Sequence, residues 1–317
     1  MTGWGAAAVV RPPRARHLVR LKLRVLANGF RGRGWRIALF ILGAVFGLWC
    51  ALGGFFLFAI PAAADSVPIA RVVAAFGGSL LVLGWLFLPL VFFGVDETLD
   101  PARFALLPLP RRTLVAGMFG AALVGVAPLA MLIATSGLVL SAADLGGGAA
   151  VAAAAVGVVA GLLLCVALSR AVTSAFATML RSRRTRDLAA MLLALFAALI
   201  GPLQVALVAA APGTDWHRLV PVARVLSWTP LAAPYTLGND VIEGRGWAVP
   251  VKLLIIFATI AGLLWWWLRS LESAMVGASS DGTARASRGA QGAPVSQLMP
   301  RTMPWLRPGP FGALVAR

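Results

Sequence analysis

Acidic residues are scarce in this sequence: 11 Asp and Glu stand against 28 Lys and Arg in 317 residues. Charge of either sign is thin, 12% of the chain, where soluble domains carry about a quarter. With 60% hydrophobic residues and a mean hydropathy of +0.88, a soluble fold of this size lacks the polar side chains to cover itself. That excludes an ordinary soluble domain and makes lipid the solvent for most of the chain. There are two lysines, Lys22 and Lys252, and neither follows a glycine-rich loop, so no phosphate-cradling Walker A loop exists here. His17 and His217 stand alone, which removes the paired-histidine zinc motif. Cys50 and Cys165 lie in separate apolar runs; they make no metal motif, no disulfide is expected between them, and they read as small core residues. No apolar run carries paired carboxylates, so no acid–base site is expected within the membrane. The same lack argues against a proton-driven carrier, since ion-coupled transporters commonly bury ionisable groups. Unwound backbone carbonyls can also bind cations, which keeps that option open.

Long apolar runs dominate what is present. A spanning helix needs roughly 20 apolar residues, and six segments qualify: Ile37–Ile60, Val72–Val95, Leu114–Leu140, Gly147–Leu168, Leu188–Ala210 and Val249–Leu268. None holds Asp or Glu; Lys252, near an end, is placed to snorkel to the interface. Ala62-Ala63-Ala64-Asp65 resembles a signal-peptidase site, but the apolar run before it is too long for a signal core and reads as an uncleaved span. The linkers set orientation. Residues 1–36, 96–113, 169–187 and 269–317 carry nine, three, five and six Lys or Arg, and the rest of the chain five. By the positive-inside rule both termini are cytoplasmic. The expected fold is therefore an all-α membrane protein with six transmembrane helices. Its parts are a basic cytoplasmic N-terminus (1–36), a six-span domain (37–268) and a partly flexible tail (269–317). The basic clusters between apolar runs are topological signals and not a nucleic-acid surface.

Finer patterns add detail. Leu18, Leu21 and Val25 share one helical face, and Arg20, Arg24 and Arg31 another, while residues 19–25 also alternate as a strand would. A lone strand beside a membrane has no partner. The reading preferred is an amphipathic interfacial helix whose bases, Arg16, Arg20, Lys22 and Arg24, meet anionic headgroups. Gly43 with Gly47, and Gly157 with Gly161, have the spacing that lets helices approach closely. Pro89, Pro128 and Pro202 are expected to kink their spans. The external segment 211–248, with Trp216, Trp228, Tyr235 and Trp247, looks interfacial and placed to dip back toward the membrane. Residues 277–299 read as a flexible linker.

One short loop is chemically mixed. Asp100-Pro101 starts a turn or helix, with Asp100 as N-cap; Pro108 and Pro110 close it, and Arg111 and Arg112 anchor the next span. A capped turn between two helices accounts for this. So does a docking surface for a cytoplasmic partner, with Phe104 and Leu106 as apolar contacts and Asp96, Glu97, Asp100, Arg111 and Arg112 setting the register.

The loop resembles one in actinobacterial ABC-2 type exporter permeases. The matching residues are Asp96, Thr98, Leu99, Asp100 and Pro101, then Phe104, Leu106, Leu107, Pro108 and Leu109, then Arg111 and Arg112. Trp228-Thr229-Pro230 and the helix at 15–30 are similar to further features of that family. The resemblance implies a permease subunit of a bacterial plasma membrane, itself no enzyme and without a cofactor, served by a separate ABC ATPase subunit. By position, segments 15–30 and 96–112 would receive the ATPase motion, with 169–187 contributing. Larger members contain two similar halves. The ending Phe311-Gly312-Ala313-Leu314-Val315-Ala316-Arg317 echoes Leu18-Val19-Arg20. The expectation is a truncated or split permease, or a six-span half that pairs with a second half or a second copy. A transporter or channel not using ATP, or a membrane scaffold, are the alternatives. Uncharged spans suit a lipid, hydrophobic drug or peptide better than a small anion.

Overall fold

In apolar surroundings each backbone N–H and C=O must find its partner within the protein, which leaves helices as the economical choice for these runs. The computed structural model describes residues 19–24, 34–91, 111–179 and 216–290, and among them there are helices and turns but no strand. Beyond a short helix at 19–24, the elements are α1 (Gly34–Ala63), α2 (Val67–Val91), α3 (Arg111–Ala122), α4 (Val126–Met179), α5 (Trp216–Leu226), a 3-10 turn (Ala233–Thr236), α6 (Leu237–Ile242) and α7 (Ala248–Ala290). Four of them, α1, α2, α4 and α7, are long and apolar enough to cross a membrane. By contacts the chain divides into two units, Met1–Leu271 and Glu272–Arg317, and the packed helices belong to the first.

The helix ends have local causes. α1 closes in a Schellman pattern: Ser66 N–H bonds to Pro61 O and Asp65 N–H to Ala62 O, with Asp65 left-handed at φ 43°. α2 starts two residues later and returns antiparallel, so that Phe58 of α1 lies against Gly77 of α2. The expected span Leu114–Leu140 is broken at 123–125, between α3 and α4. Pro128 accounts for this, since its ring and missing N–H deny a helix to the residues four before it.

α4 is interrupted at Gly147, whose φ of 70° and ψ of −164° lie in a region essentially reserved for glycine. The contacts show how far the chain turns there. A Cβ on Gly238 would have Ala154 Cβ at 3.0 Å and Ala142 Cβ at 3.5 Å. Twelve residues of unbroken helix would hold Ala142 and Ala154 about 18 Å apart. The two arms of α4 therefore fold back beside each other. Met131 of the first arm and Leu162, Cys165 and Val166 of the second share one core cluster with Phe58, Val82 and Tyr235.

α1 lies along the first arm of α4. Gly47 faces Val126, Gly54 faces Ala134, Gly137 fits under Phe55 and Phe58, and Ser141 Oγ donates to Phe58 O at 2.6 Å. Its other face, including Phe40, Leu42, Phe46, Trp49 and Phe56, is exposed, as a lipid-facing helix requires. Exposed Trp247 precedes α7, and exposed Trp265 and Trp266 sit near the far end of its apolar stretch, Ala248–Ser270. At 1.5 Å per residue the two positions are about 28 Å apart, close to the roughly 30 Å hydrocarbon thickness that aromatic belts bracket.

The short helix at 19–24 settles the helix-or-strand ambiguity of the N-terminal segment in favour of helix. Val19 approaches Gly120 of α3. α7 continues through Ala290, past Leu268 and into the stretch read as a flexible linker.

Candidate functional site

The segment between α5 and α7 does not stay at the surface. Residues 232–240 are all buried. The 3-10 turn and α6 wedge between α2 and the second arm of α4, and glycines make the room. A Cβ on Gly157 would collide with Pro234 O, one on Gly161 with the Tyr235 ring and hydroxyl, and one on Gly78 with the same ring from α2. The Gly157/Gly161 pair thus receives a short turn rather than a second long helix. Tyr235 Oη lies 3.6 Å from the buried Cys165 Sγ. Asn239 Nδ2 donates to Ala70 O of α2 at 3.1 Å. A cavity of about 10 Å3 beside Asn239, Ser141 and Ala70 has the size of one water molecule.

This wedge carries charge with it. Asp240 and Glu243 stand three residues apart at the end of α6, hence on one face. α6 then closes through Gly244 (φ 72°): Arg245 N–H bonds to Asp240 O at 2.7 Å and Gly244 N–H to Val241 O at 3.0 Å. That closure folds Arg245 back over the carboxylates. Asp240 Oδ1 accepts from Arg71 Nη2 at 3.0 Å and Arg245 Nη2 at 3.1 Å, and Oδ2 faces Lys252 Nζ. Asp240 Oδ2 and Lys252 Nζ form an ion pair between two buried side chains. Glu243 takes Arg71 Nε on one oxygen, and Arg245 at 2.9 Å and Arg224 at 3.4 Å on the other.

Lys252 is a correction to the sequence reading. It does not snorkel to the interface but is fully buried. Its ammonium has three partners: Ser227 Oγ and Thr236 Oγ1, both at 3.0 Å, and Asp240. It also sits 5.3 Å from the centre of the Trp228 ring. Both hydroxyls pass their own protons to backbone carbonyls, Ser227 to Arg224 O and Thr236 to Ala232 and Ala233 O, leaving lone pairs for the lysine. The wedge brings in acceptors that a lysine on an isolated helix would have to seek in water. Arg71, read as part of an external linker, is likewise fully buried, one turn into α2.

The cluster therefore joins α2, α5, α6 and α7 through four cations and two carboxylates. It can clasp these elements together, or carry a proton if a carboxylate is released. Among the described residues there is no His/Cys/Asp/Glu group of metal-binding size. The acids were visible in the sequence but sat in a segment counted as external, where charges read as solvated. The available signal was Asp240, Glu243 and Arg245 around a glycine, directly ahead of an apolar run holding its own lysine.

The residues singled out from the sequence stand elsewhere. Arg111 and Arg112 are the first two residues of α3, and Arg20, Lys22 and Arg24 lie on the short helix at 19–24, with Arg20 and Arg24 exposed. The Val19–Gly120 approach puts that helix against α3. Asp96, Glu97, Asp100, Pro101, Phe104, Leu106 and Arg16 lie outside the described residues. Cys165 is a core residue as expected, whereas Cys50 is exposed on α1. No protein-family model, curated protein or solved structure matches the chain.

Proposed function

We propose that this chain is the membrane-spanning permease subunit of an ATP-driven exporter in a bacterial plasma membrane, coupled to a separate ATPase subunit. The observation that carries the reading is the stretch 96–112 and its resemblance to the ABC-2 permease loop. The wedge at 227–247 supports it. Irregular backbone at membrane depth is tolerated only where protein buries it or a water-filled cavity borders it, and a pathway-forming protein offers both. In this reading the two arms of α4 are separate spans. With 188–210 the chain makes six passes, both termini are cytoplasmic, and a second permease half or a second copy completes the pathway. In this reading the helix at 19–24, with Arg20 and Arg24 exposed, lies at the cytoplasmic side for the ATPase, bordering anionic headgroups.

A second reading draws on a specific observation. The buried Asp240, Glu243 and Lys252 supply the ionisable groups that ion-coupled transport uses, and the apolar runs alone offer no such set. An ion-coupled carrier is thus the competitor.

Co-purification from the native host separates the two. The expected result is an ATP-binding-cassette subunit in stoichiometric amount, reduced at least tenfold by the Asp100→Asn/Arg111→Gln double variant. Retention of the ATPase in that variant would discard the docking loop. Absence of an ATPase, together with solute uptake into vesicles driven by a proton gradient and abolished in Asp240→Asn, would replace the exporter with a carrier.

A further inference from the structure

Among the described residues the charge cluster does not balance. Arg71, Arg224, Arg245 and Lys252 contribute four positive charges, and Asp240 and Glu243 two negative, leaving +2 in surroundings that penalise unpaired charge. Hydrogen-bonding capacity is left over on the cationic side as well. Arg71 Nη1 and Arg245 Nε are buried without a partner among the described residues. Arg71 itself is fully buried, with its other two nitrogens on Glu243 and Asp240.

The excess is not sealed in. Three guanidiniums converge on Glu243, which is 14% exposed, and two of them reach outward: Arg245 is 26% exposed and Arg224 53%. Apolar surface flanks this opening. Val225 of α5, the residue after Arg224, is exposed, and Trp247, which stacks near Trp228 at 5.9 Å, is exposed two residues after Arg245. Guanidiniums with an exposed valine and an exposed tryptophan close in sequence match a ligand with an anionic head and an apolar body. A hydrated ion would meet only the first half of that surface.

We infer that Arg224 and Arg245, backed by the charge of Arg71, form a site for the phosphate of an anionic phospholipid headgroup, whose acyl chains run down beside α5 and α7. The lipid phosphate, with one negative charge, offsets half of the excess that Asp240 and Glu243 leave open, and Arg forks suit it because their paired N–H groups match phosphate oxygens. The inference needs the membrane but does not depend on the exporter reading.

The test uses the full chain in a neutral detergent, with thermal unfolding followed by tryptophan fluorescence. Phosphatidylglycerol, phosphatidylcholine and inorganic phosphate are titrated in turn. Phosphatidylglycerol should raise the midpoint where phosphatidylcholine does not, since choline neutralises its own phosphate. Arg224→Gln, at a half-exposed position that the fold tolerates, should raise the half-effective phosphatidylglycerol concentration about tenfold, the loss of one charge-assisted contact. Arg269→Gln, on α7 against Trp265, should leave it unchanged. Native mass spectrometry of the same samples should show one retained phosphatidylglycerol per chain, lost in Arg224→Gln. Equal shifts with both lipids, or a wild-type response in Arg224→Gln, would overturn the site. A full shift with inorganic phosphate alone would overturn the lipid as its occupant.

Discussion

At the scale of single residues, Asp240 is the member on which the wedge depends most. Three cations contact its carboxylate, two of them fully buried. Asp240→Asn leaves Arg71 and Lys252 buried with their main counter-charge gone, and breaking a buried pair from one side costs about 3–5 kcal/mol. Arg224→Gln removes only a half-exposed partner at 3.4 Å, and such pairs contribute about 1 kcal/mol or less. Equilibrium unfolding in detergent should therefore rank the first variant well below the second. Comparable stability for the two would mean that the cluster does not hold the wedge in place. Little of this was legible beforehand. Lys252 was visible as an anomaly in an apolar run, but its resolution depended on which distant acid reaches it, and sequence spacing does not report a contact between positions 71 and 240.

The elements were more legible than their partners. Apolar runs located α1 to within a few residues and marked α2, α7 and both arms of α4 as helices, because lipid leaves helix as the only local solution, but α7 and the second arm of α4 run on past Leu268 and Leu168, and the first arm starts at Val126 rather than Leu114. Pro128 gave away a distortion, and the structure turns it into a complete break at 123–125. The break in α4 falls where the run read as Gly147–Leu168 begins, and Gly147 there adopts a conformation closed to other residues. What a close-approach glycine approaches is a different matter. Gly157 is spaced for helix packing, yet the atom over it is Pro234 O, 2.0 Å from where a Cβ would lie. Backbone at that range cannot rotate away, so Gly157→Ala should lift the wedge, with an overpacking cost of about 1–3 kcal/mol. Cys165 reports on it directly, since its thiol is buried against Tyr235. With Cys50 replaced by serine, maleimide labelling of Cys165 should be slow in the parent and at least several-fold faster in Gly157→Ala. Gly262→Ala, which meets nothing within 4 Å, should label like the parent. Unchanged labelling in both would mean that the second arm of α4 moves aside and the wedge stays.

For the molecule as a whole, the question is how the bundle sits in its bilayer. Two lines of reasoning bear on it, and they are independent. The Lys and Arg distribution orients the loops, whereas the fold-back at Gly147 and the α1–α2 turn at Asp65 follow from contacts that contain no charge. α1 runs parallel to the first arm of α4, as the successive pairings Gly47–Val126, Gly54–Ala134 and Ser141–Phe58 show. The Asp65 and Gly147 turns therefore belong at one end of the bundle, together with the start of α7, which meets Asp240 there. In the proposed topology, which follows the positive-inside rule, that end faces the exterior. Single cysteines at Asp65 and Gly148, in a chain lacking Cys50 and Cys165, should both react with a membrane-impermeant maleimide in intact cells. One at Arg24 should react only after permeabilisation. Labelling of all three from outside would mean that α1 does not cross the membrane, since it is the single pass between Arg24 and Asp65. Labelling of Arg24 alone would invert the bundle, placing the charge cluster at the cytoplasmic end and removing the basis for assigning the helix at 19–24 to the ATPase.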